Sequence, residues 1–183
     1  MKLFNLIYKC LGIKYGRNLK LNGFPLIVSV CRGHIVLGND VTINSSFLSN
    51  LLGLYQRTII VARTKDAFVH IGDDVGLSGV TIYARDSIVI GSHTRIGANV
   101  KIIDNDFHPV DPDLRLECSN QNMMIKPVEI GENVFIGCNS LILKGTKIGD
   151  NTTIGAGSVV SGVIPPNCIA AGNPAKVLRY FER

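Results

Sequence analysis

The sequence predicts an all-β chain wound as a parallel β-helix, on three observations. Aliphatic residues recur every six positions at Ile90, Ile96 and Ile102, and again at Ile130, Ile136, Ile142, Ile148, Ile154 and Val160. Glycine often follows the aliphatic residue, as at Gly38, Gly72, Gly91, Gly97, Gly131, Gly137, Gly149 and Gly155. A stride of six fits neither an amphipathic helix (about 3.6) nor a long strand (about 2), so it requires short strands joined by sharp corners.

Glycine permits corner conformations that a side chain forbids, and the Asn and Asp residues two or three places later tolerate left-handed backbone. Three hexads close one triangular coil of about eighteen residues; coils stacked at roughly 4.8 Å turn the aliphatic ladder into one interior column. Leu37 and Ile43 in VLGNDVTI, and Ile71 and Leu77 in HIGDDVGL, keep the same stride, so the repeat begins well before residue 90.

The chain divides into an N-terminal basic apolar segment (1–18), the β-helix body (19–172) and a C-terminal tail (173–183). In the first, LFNLIYKCLGI is interrupted by Asn5 and Lys9, lacks a small-residue cleavage site and is shorter than a membrane span. Two readings stay open for it: a basic amphipathic helix on an anionic membrane, or a cap over the open end of the core. In the tail, Asn173 as N-cap and Pro174 at the first helical position predict a short C-terminal α-helix. That helix would turn Val177, Leu178 and Phe181 to the stack and put Lys176, Arg179 and Arg183 on one cationic face.

With 183 residues and 46% hydrophobic content, one core is expected. The net charge of +5 is uneven: residues 1–39 hold Lys2, Lys9, Lys14, Arg17, Lys20 and Arg32 and no acid, leaving −1 for the rest. One basic end with few, scattered aromatics excludes a phosphate-tracking, base-stacking surface, so no nucleic-acid partner is expected. Cys10, Cys31, Cys118, Cys138 and Cys168 are odd in number and form no CxxC or CxxH pair. That usage suits a reducing cytoplasm and suggests no metal site.

The beat fails once. The sixth residue after Ile102 is His108, and the period resumes only at Ile130, 28 positions on, which is not a multiple of six. A polar loop, about Asp104 to Lys126, therefore leaves the helix, and a loop of this length in a compact repeat is functional or disordered. Pro109 holds His108 in extended backbone at the loop root. A neutral imidazole can take a proton from a hydroxyl, with Asp104 or Asp106 close enough in sequence to orient the other ring nitrogen.

These residues carry a resemblance. The stretch IGENVFIGCNSLILKGTKIGDNTTIGAGSVVSGVIPPNCIAAGNPAKVLR resembles the C-terminal half of hexapeptide-repeat acyltransferases. DNDFHPVDP followed by KPVEIGENVFIG is similar to the maltose and galactoside O-acetyltransferase branch, and more so to its bacterial polysaccharide O-acetyltransferase relatives, over about residues 69–180. The resemblance implies a left-handed β-helix, a cytoplasmic homotrimer, acetyl-CoA in a groove between neighbouring helices, no metal, and His108 as the base. Carried over motif by motif, the CoA contacts fall on Phe135, Cys138, Ala156, Ser161, Lys176 and Arg179, and the acceptor contacts on Ser78, Asp111 and Met123.

There are departures. Ser78 stands where the sugar acetyltransferases have an asparagine, Met123 where they have a glutamate, and the N-terminal helical segment of maltose acetyltransferases is missing. These argue against free maltose and for a surface-polysaccharide sugar, with a lipid-linked acceptor and N-terminal contact with the inner membrane face as an extension. A small sugar, an amino sugar or an antibiotic is the alternative acceptor. Two other classes share the architecture: a γ-carbonic-anhydrase-like zinc enzyme using His70, His93 and His108, although the close HxxxxH pair is absent, and a non-catalytic scaffold.

Overall fold

A computed structural model describes Tyr8 and residues 12–31, 34–116 and 122–182. Its strands form three sheets, the faces of a triangular prism. Face one stacks Lys14–Tyr15, Ile35–Leu37, Phe68–Ile71, Ser87–Ile90, Val128–Ile130, Lys147–Ile148 and Val163–Ile164. Face two stacks Lys20–Gly23, Thr42–Ser45, Gly76–Ser78, Arg95–Ile96, Phe135–Ile136, Thr153–Ile154, Cys168–Gly172 and Ala175–Tyr180. Face three stacks Leu26–Ser29, Ile59–Ala62, Thr81–Ala84, Lys101–Ile103, Leu141–Ile142 and Val159–Val160. The chain visits the faces in turn, and every strand pairs in parallel with the coils above and below except the last two strands of face two, which are antiparallel.

The register puts the hexad residues in columns. On face one Leu37, Ile71, Ile90, Ile130, Ile148 and Ile164 are successive partners. On face two Leu21, Ile43, Leu77, Ile96, Ile136, Ile154 and Ala170 follow one another, and on face three Ile27, Ile60, Ile82, Ile102, Ile142 and Val160. Most of these side chains are fully buried, so the three columns are the core. Tyr8 and Ile13 join it at the N-terminal end, the Tyr8 hydroxyl donating to Pro25 O at 2.5 Å. The rest of the expected N-terminal helix or cap (1–7 and 9–11) lies outside the described residues, as does Arg183.

The corner between faces one and two is a ladder of left-handed residues: Asn18, Asp40, Asp74, His93, Asn133, Asn151 and Asn167 all have positive φ. Their side chains bond coil to coil, as in Asn133 Nδ2 to Asn151 Oδ1 (2.9 Å) and Asn151 Nδ2 to Asn167 Oδ1 (3.2 Å). Close stacking requires glycine beside the ladder; a Cβ on Gly91 would sit 2.5 Å from the Gly131 carbonyl.

Two excursions leave at other corners. The expected one runs between faces three and one, from Asp104 to Pro127; because Ile130 pairs with Ile90, it adds no coil to the stack. The second, Ser46–Arg57, lies between faces two and three and exposes Phe47, Leu48, Leu51, Leu52 and Tyr55.

The predicted C-terminal helix is absent. Ala175–Tyr180 is a strand folded back on Cys168–Gly172 through a turn whose Asn173–Pro174 peptide is cis. Asn-Pro marks a turn as readily as a helix start, and the open edge of Cys168–Gly172 offers backbone partners that a two-turn helix could not satisfy. Val177 packs on the core as expected, but Leu178 is exposed.

Ile136 is fully buried in its column. Ile136→Ala should cost about 2–5 kcal/mol of unfolding free energy, measurable by urea denaturation followed by circular dichroism.

Candidate functional site

The loop root is a narrow antiparallel neck. Lys126 N donates to Asp104 O (2.9 Å), Asp106 N donates to Met124 O (3.2 Å), and Asn105 bridges Ile125. Asp104 is buried, and its carboxylate accepts from the backbone N–H groups of Arg85 and Asp86 and from Asn105 Nδ2, at 2.7–3.0 Å. Burial pushes its carboxyl above the ordinary range, while Asn105 and the two backbone donors pull it back. This bolts the neck to the coil above.

Beyond the neck the chain makes a tight reversal. His108 N donates to Asp106 O (2.7 Å) across Phe107, whose φ is +62°. An i to i+2 bond around a positive φ is the rare form of γ-turn, and a bulky residue there is strained. Phe107 is held by its own N–H on Asn105 Oδ1 (3.0 Å) and by its ring against Tyr83, 5.0 Å between centroids. The His108 side chain is exposed and makes no hydrogen bond among the described residues.

This corrects the expected partners of the imidazole. Asp104 is committed to the coil above, and Asp106 Oδ1 takes Lys144 Nζ at 2.6 Å; neither carboxylate orients the His108 ring. Two acceptor candidates also find structural employment. Asp111 Oδ1 accepts from Asp113 N and Leu114 N, capping a short helix, Pro112–Leu116. Met123 is buried at the loop base rather than open to a ligand.

Ser78 lies elsewhere, at the end of its face-two strand. Its Oγ accepts from Asn44 Nδ2 (3.0 Å), and Asn44 Oδ1 accepts from Asn22 Nδ2 (2.8 Å), a polar ladder along the outside of the prism. Ser78 and Asn44 line a groove of about 360 Å³ with Thr42, Gly76, Arg95 and Phe135. Arg95 closes one side, its Nη2 at 2.9 Å from both Asp74 carboxylate oxygens and its Nη1 on Asp74 O. Arg95, with His93 Nδ1 at 3.1 Å, holds the Asp74 carboxyl below its ordinary range.

Phe135 projects outward, half exposed, on this same face. Its register partners down the sheet are Thr153, Ile169 and Arg179, so the ring and the guanidinium share one outward column. The strand that replaces the predicted helix keeps the two cations together: Lys176 opposes Ala171 and Arg179 opposes Ile169, because a register shift absorbs Leu178. Cys138 and Ala156 follow at the corner between faces two and three, where Gly137 stacks against Ala156 too closely to admit a Cβ. The Cys138 thiol is free.

Ser161 does not join them. It follows Val160 at the corner between faces three and one, the corner of Lys144 and the His108 loop. The candidate residues thus divide: His108 and Ser161 at one edge of face three, and Ser78, Phe135, Cys138, Ala156, Lys176 and Arg179 on face two or at the other edge. Among the described residues, no three His, Cys, Asp or Glu side chains cluster as metal ligands would; His70 lies in a face-one strand, His93 at the corner between faces one and two, and His108 in the loop between faces three and one.

Residues 127–162 match the family Bacterial transferase hexapeptide (six repeats). Over 176 residues the chain is 34% identical to WbbJ of Escherichia coli, whose name assigns it to lipopolysaccharide biosynthesis as an O-acetyl transferase, covering 91% of this chain and 81% of that protein. The chain belongs to the hexapeptide-repeat transferase family.

Galactoside O-acetyltransferase of Lactococcus lactis is 41% identical over 115 residues, 62% of this chain and 54% of that protein. This chain therefore spans about half the length of the curated relatives it first matches. Among solved structures, a maltose O-acetyltransferase from Clostridium difficile superposes with a TM-score of 0.63 at 26% identity, over 98% of this chain and 75% of that one.

Sequence reasoning missed Lys144, the Arg95–Asp74 wall and the Ser46–Arg57 excursion. Only the last left a trace, in the broken stride between Ile43 and Ile60.

The Asp74 carboxyl gives a pH test. Its folded value is depressed, so the stability it contributes is present above the ordinary carboxylate range and lost as pH falls through the folded value. Asp74→Asn should remove that part of the acid slope, read as the difference in Tm between variant and wild type from about pH 6 to pH 2.

Proposed function

We propose that this protein is an acetyl-CoA-dependent O-acetyltransferase that acetylates a sugar hydroxyl in the biosynthesis of a bacterial surface polysaccharide, with His108 as general base. The observation that carries the reading is the His108 imidazole, unpaired among the described residues and presented on a strained turn at the loop root. The names of the galactoside O-acetyltransferase and WbbJ relatives support the substrate class, and a related galactoside acetyltransferase structure, at 27% identity, was solved with coenzyme A.

In this reading one His108 ring nitrogen takes the proton of the acceptor hydroxyl as its oxygen attacks the thioester carbonyl. Backbone N–H groups at the groove stabilise the tetrahedral oxyanion. The intermediate collapses by breaking the C–S bond, and the protonated histidine returns its proton to the departing thiolate. The products are the acetyl ester and free coenzyme A, with no covalent bond to the enzyme at any step. The residues fit an extended donor: exposed Phe135 for the pantetheine arm, the small-residue corner at Cys138 and Ala156 for close backbone approach, and Lys176 and Arg179 for the phosphates. Ser78, on the groove floor, meets the acceptor.

The split of these residues over two edges of face three supports a ring-shaped homotrimer of left-handed helices. One copy's His108 and Ser161 edge would face the next copy's Cys138 and Ala156 edge, a head-to-tail contact that closes on itself. The outer surface of face three supports the same arrangement. Val28, Val61, Tyr83 and Ile103 share one outward apolar column, while the other runs Leu26, Ile59, Thr81, Lys101, Leu141 and Val159. The thioester donor and the cysteine usage suit a cytoplasmic site. The basic segment 1–18 suits contact with the inner membrane face and a lipid-linked acceptor. No helix among the described residues is long and apolar enough to cross a membrane.

His108→Ala should lower turnover by about 10² to 10⁴ while leaving acetyl-CoA affinity within about twofold, checked by coenzyme A release and calorimetric titration. Wild-type turnover in that variant would end the assignment. In sedimentation equilibrium, Val61→Asp, which puts a charge on the outward apolar column, should convert trimers to monomers without changing the far-UV spectrum.

A further inference from the structure

The turn that presents His108 is anchored by a residue outside the loop and outside the set so far considered. Lys144 lies one coil below, at the corner between faces three and one, and its Nζ meets Asp106 Oδ1 at 2.6 Å. Both side chains are about four-fifths buried, at 23% and 20% exposure. Asp106 Oδ2 is buried without a hydrogen-bond partner, so the Lys144 ammonium is the only group neutralising this carboxylate among the described residues. An isolated exposed pair would carry little weight, but one this shielded loses strongly when either partner is removed.

The backbone of Asp106 makes the connection to His108. Its carbonyl accepts the His108 N–H at 2.7 Å and its own N–H donates to Met124 O, so a movement of Asp106 shifts the outer Asp106–Met124 rung and the imidazole, while the Lys126–Asp104 rung is held separately. Phe107, between them, sits at a φ of +62°, which a chain without outside restraint would abandon. The Tyr83 contact and Asn105 Oδ1 restrain Phe107 itself, and Asp104 bolts the neck to the coil above. Lys144 is the restraint from the coil below. The turn is thus gripped from both neighbouring coils.

We propose that Lys144 is a positioning residue for His108, acting through the Asp106 carboxylate to hold the strained Asp106–His108 turn. The inference rests on the reading of His108 as the base. A change of Lys144, bonded to Asp106, would then act on turnover through the placement of the imidazole. A misplacement of the order of 1 Å can cost about a hundredfold in rate.

The test separates the clamp from the base. In the full-length protein, amide hydrogen exchange is measured by NMR at His108 and, as a control, at Lys126 in the neck. Transfer from acetyl-CoA to p-nitrophenyl β-galactoside, a soluble probe acceptor, is followed in parallel. Lys144→Met should speed His108 exchange by about tenfold or more with Lys126 unchanged. It should also lower kcat by about ten- to a hundredfold at constant KM for acetyl-CoA. Lys144→Arg should restore most of both, and adding Lys144→Met to His108→Ala should slow residual turnover no further. Asp106→Asn, which keeps the size of the side chain, should reproduce the exchange result if Lys144→Met folds poorly.

Unchanged His108 exchange in both the Lys144 and Asp106 variants would overturn the proposal, as would losses that multiply in the Lys144→Met, His108→Ala double variant. Wild-type turnover in His108→Ala alone would instead remove the base, and the exchange data would still decide whether Lys144 holds the turn.

Discussion

Everything in this molecule depends on one coil being unable to bury its own aliphatic residues. A single turn of three short strands has no interior; its isoleucines are covered only when the coils above and below present theirs in register. The columns through Ile90, Ile136 and Ile102 are that register, and they leave no freedom to insert or delete a residue within a strand. Insertions survive only at corners, where the chain already leaves the ladder. The two long excursions, at Ser46–Arg57 and Asp104–Pro127, obey that rule, and the second carries the candidate base.

The rigidity of the stack then becomes a resource for the site. A positive φ at Phe107 would relax in a free loop, yet it persists where buried Asp104 grips the coil above and Asp106 grips Lys144 from the coil below. The same logic operates on face two. There Arg95 is pinned across to Asp74 one coil away, giving the groove beside Ser78 a fixed ion-paired wall. In both places a side chain is oriented by a bond between coils, which a local loop could not supply. The glycines have a complementary role. Gly91 and Gly137 let backbones approach to distances a side chain would forbid, which keeps the corners narrow.

Much of this was readable from residue order because the period is a direct image of the packing. The stride of six marked the interior columns, the glycines and asparagines marked the corners, and the broken beat at His108 marked the loop. The partners of His108 were not readable. Asp104 and Asp106 are near it in sequence, but their carboxylates answer to Arg85, Asp86 and Lys144, on coils 18–38 residues away along the chain. The tail shows a different failure. Asp111–Pro112 does begin a helix, whereas Asn173–Pro174, with the same local signature, makes a turn. The difference is the unpaired edge of Cys168–Gly172, a feature of the assembled sheet and not of the tail.

By itself, then, the sequence determined the β-helix, its aliphatic interior, the loop after Ile103, and the residue types of the candidate site, since each follows from a short-range pattern. The tertiary structure alone decided which of those residues stand together. It set Lys176 and Arg179 on one side through a register shift at Leu178, put Ser161 on the far edge from Cys138, and gave Asp106 to Lys144. The physical reason is that neighbours in a stacked helix are one coil apart rather than a few residues apart. Coil-to-coil contacts depend on how many residues each corner inserts, and no local period records that.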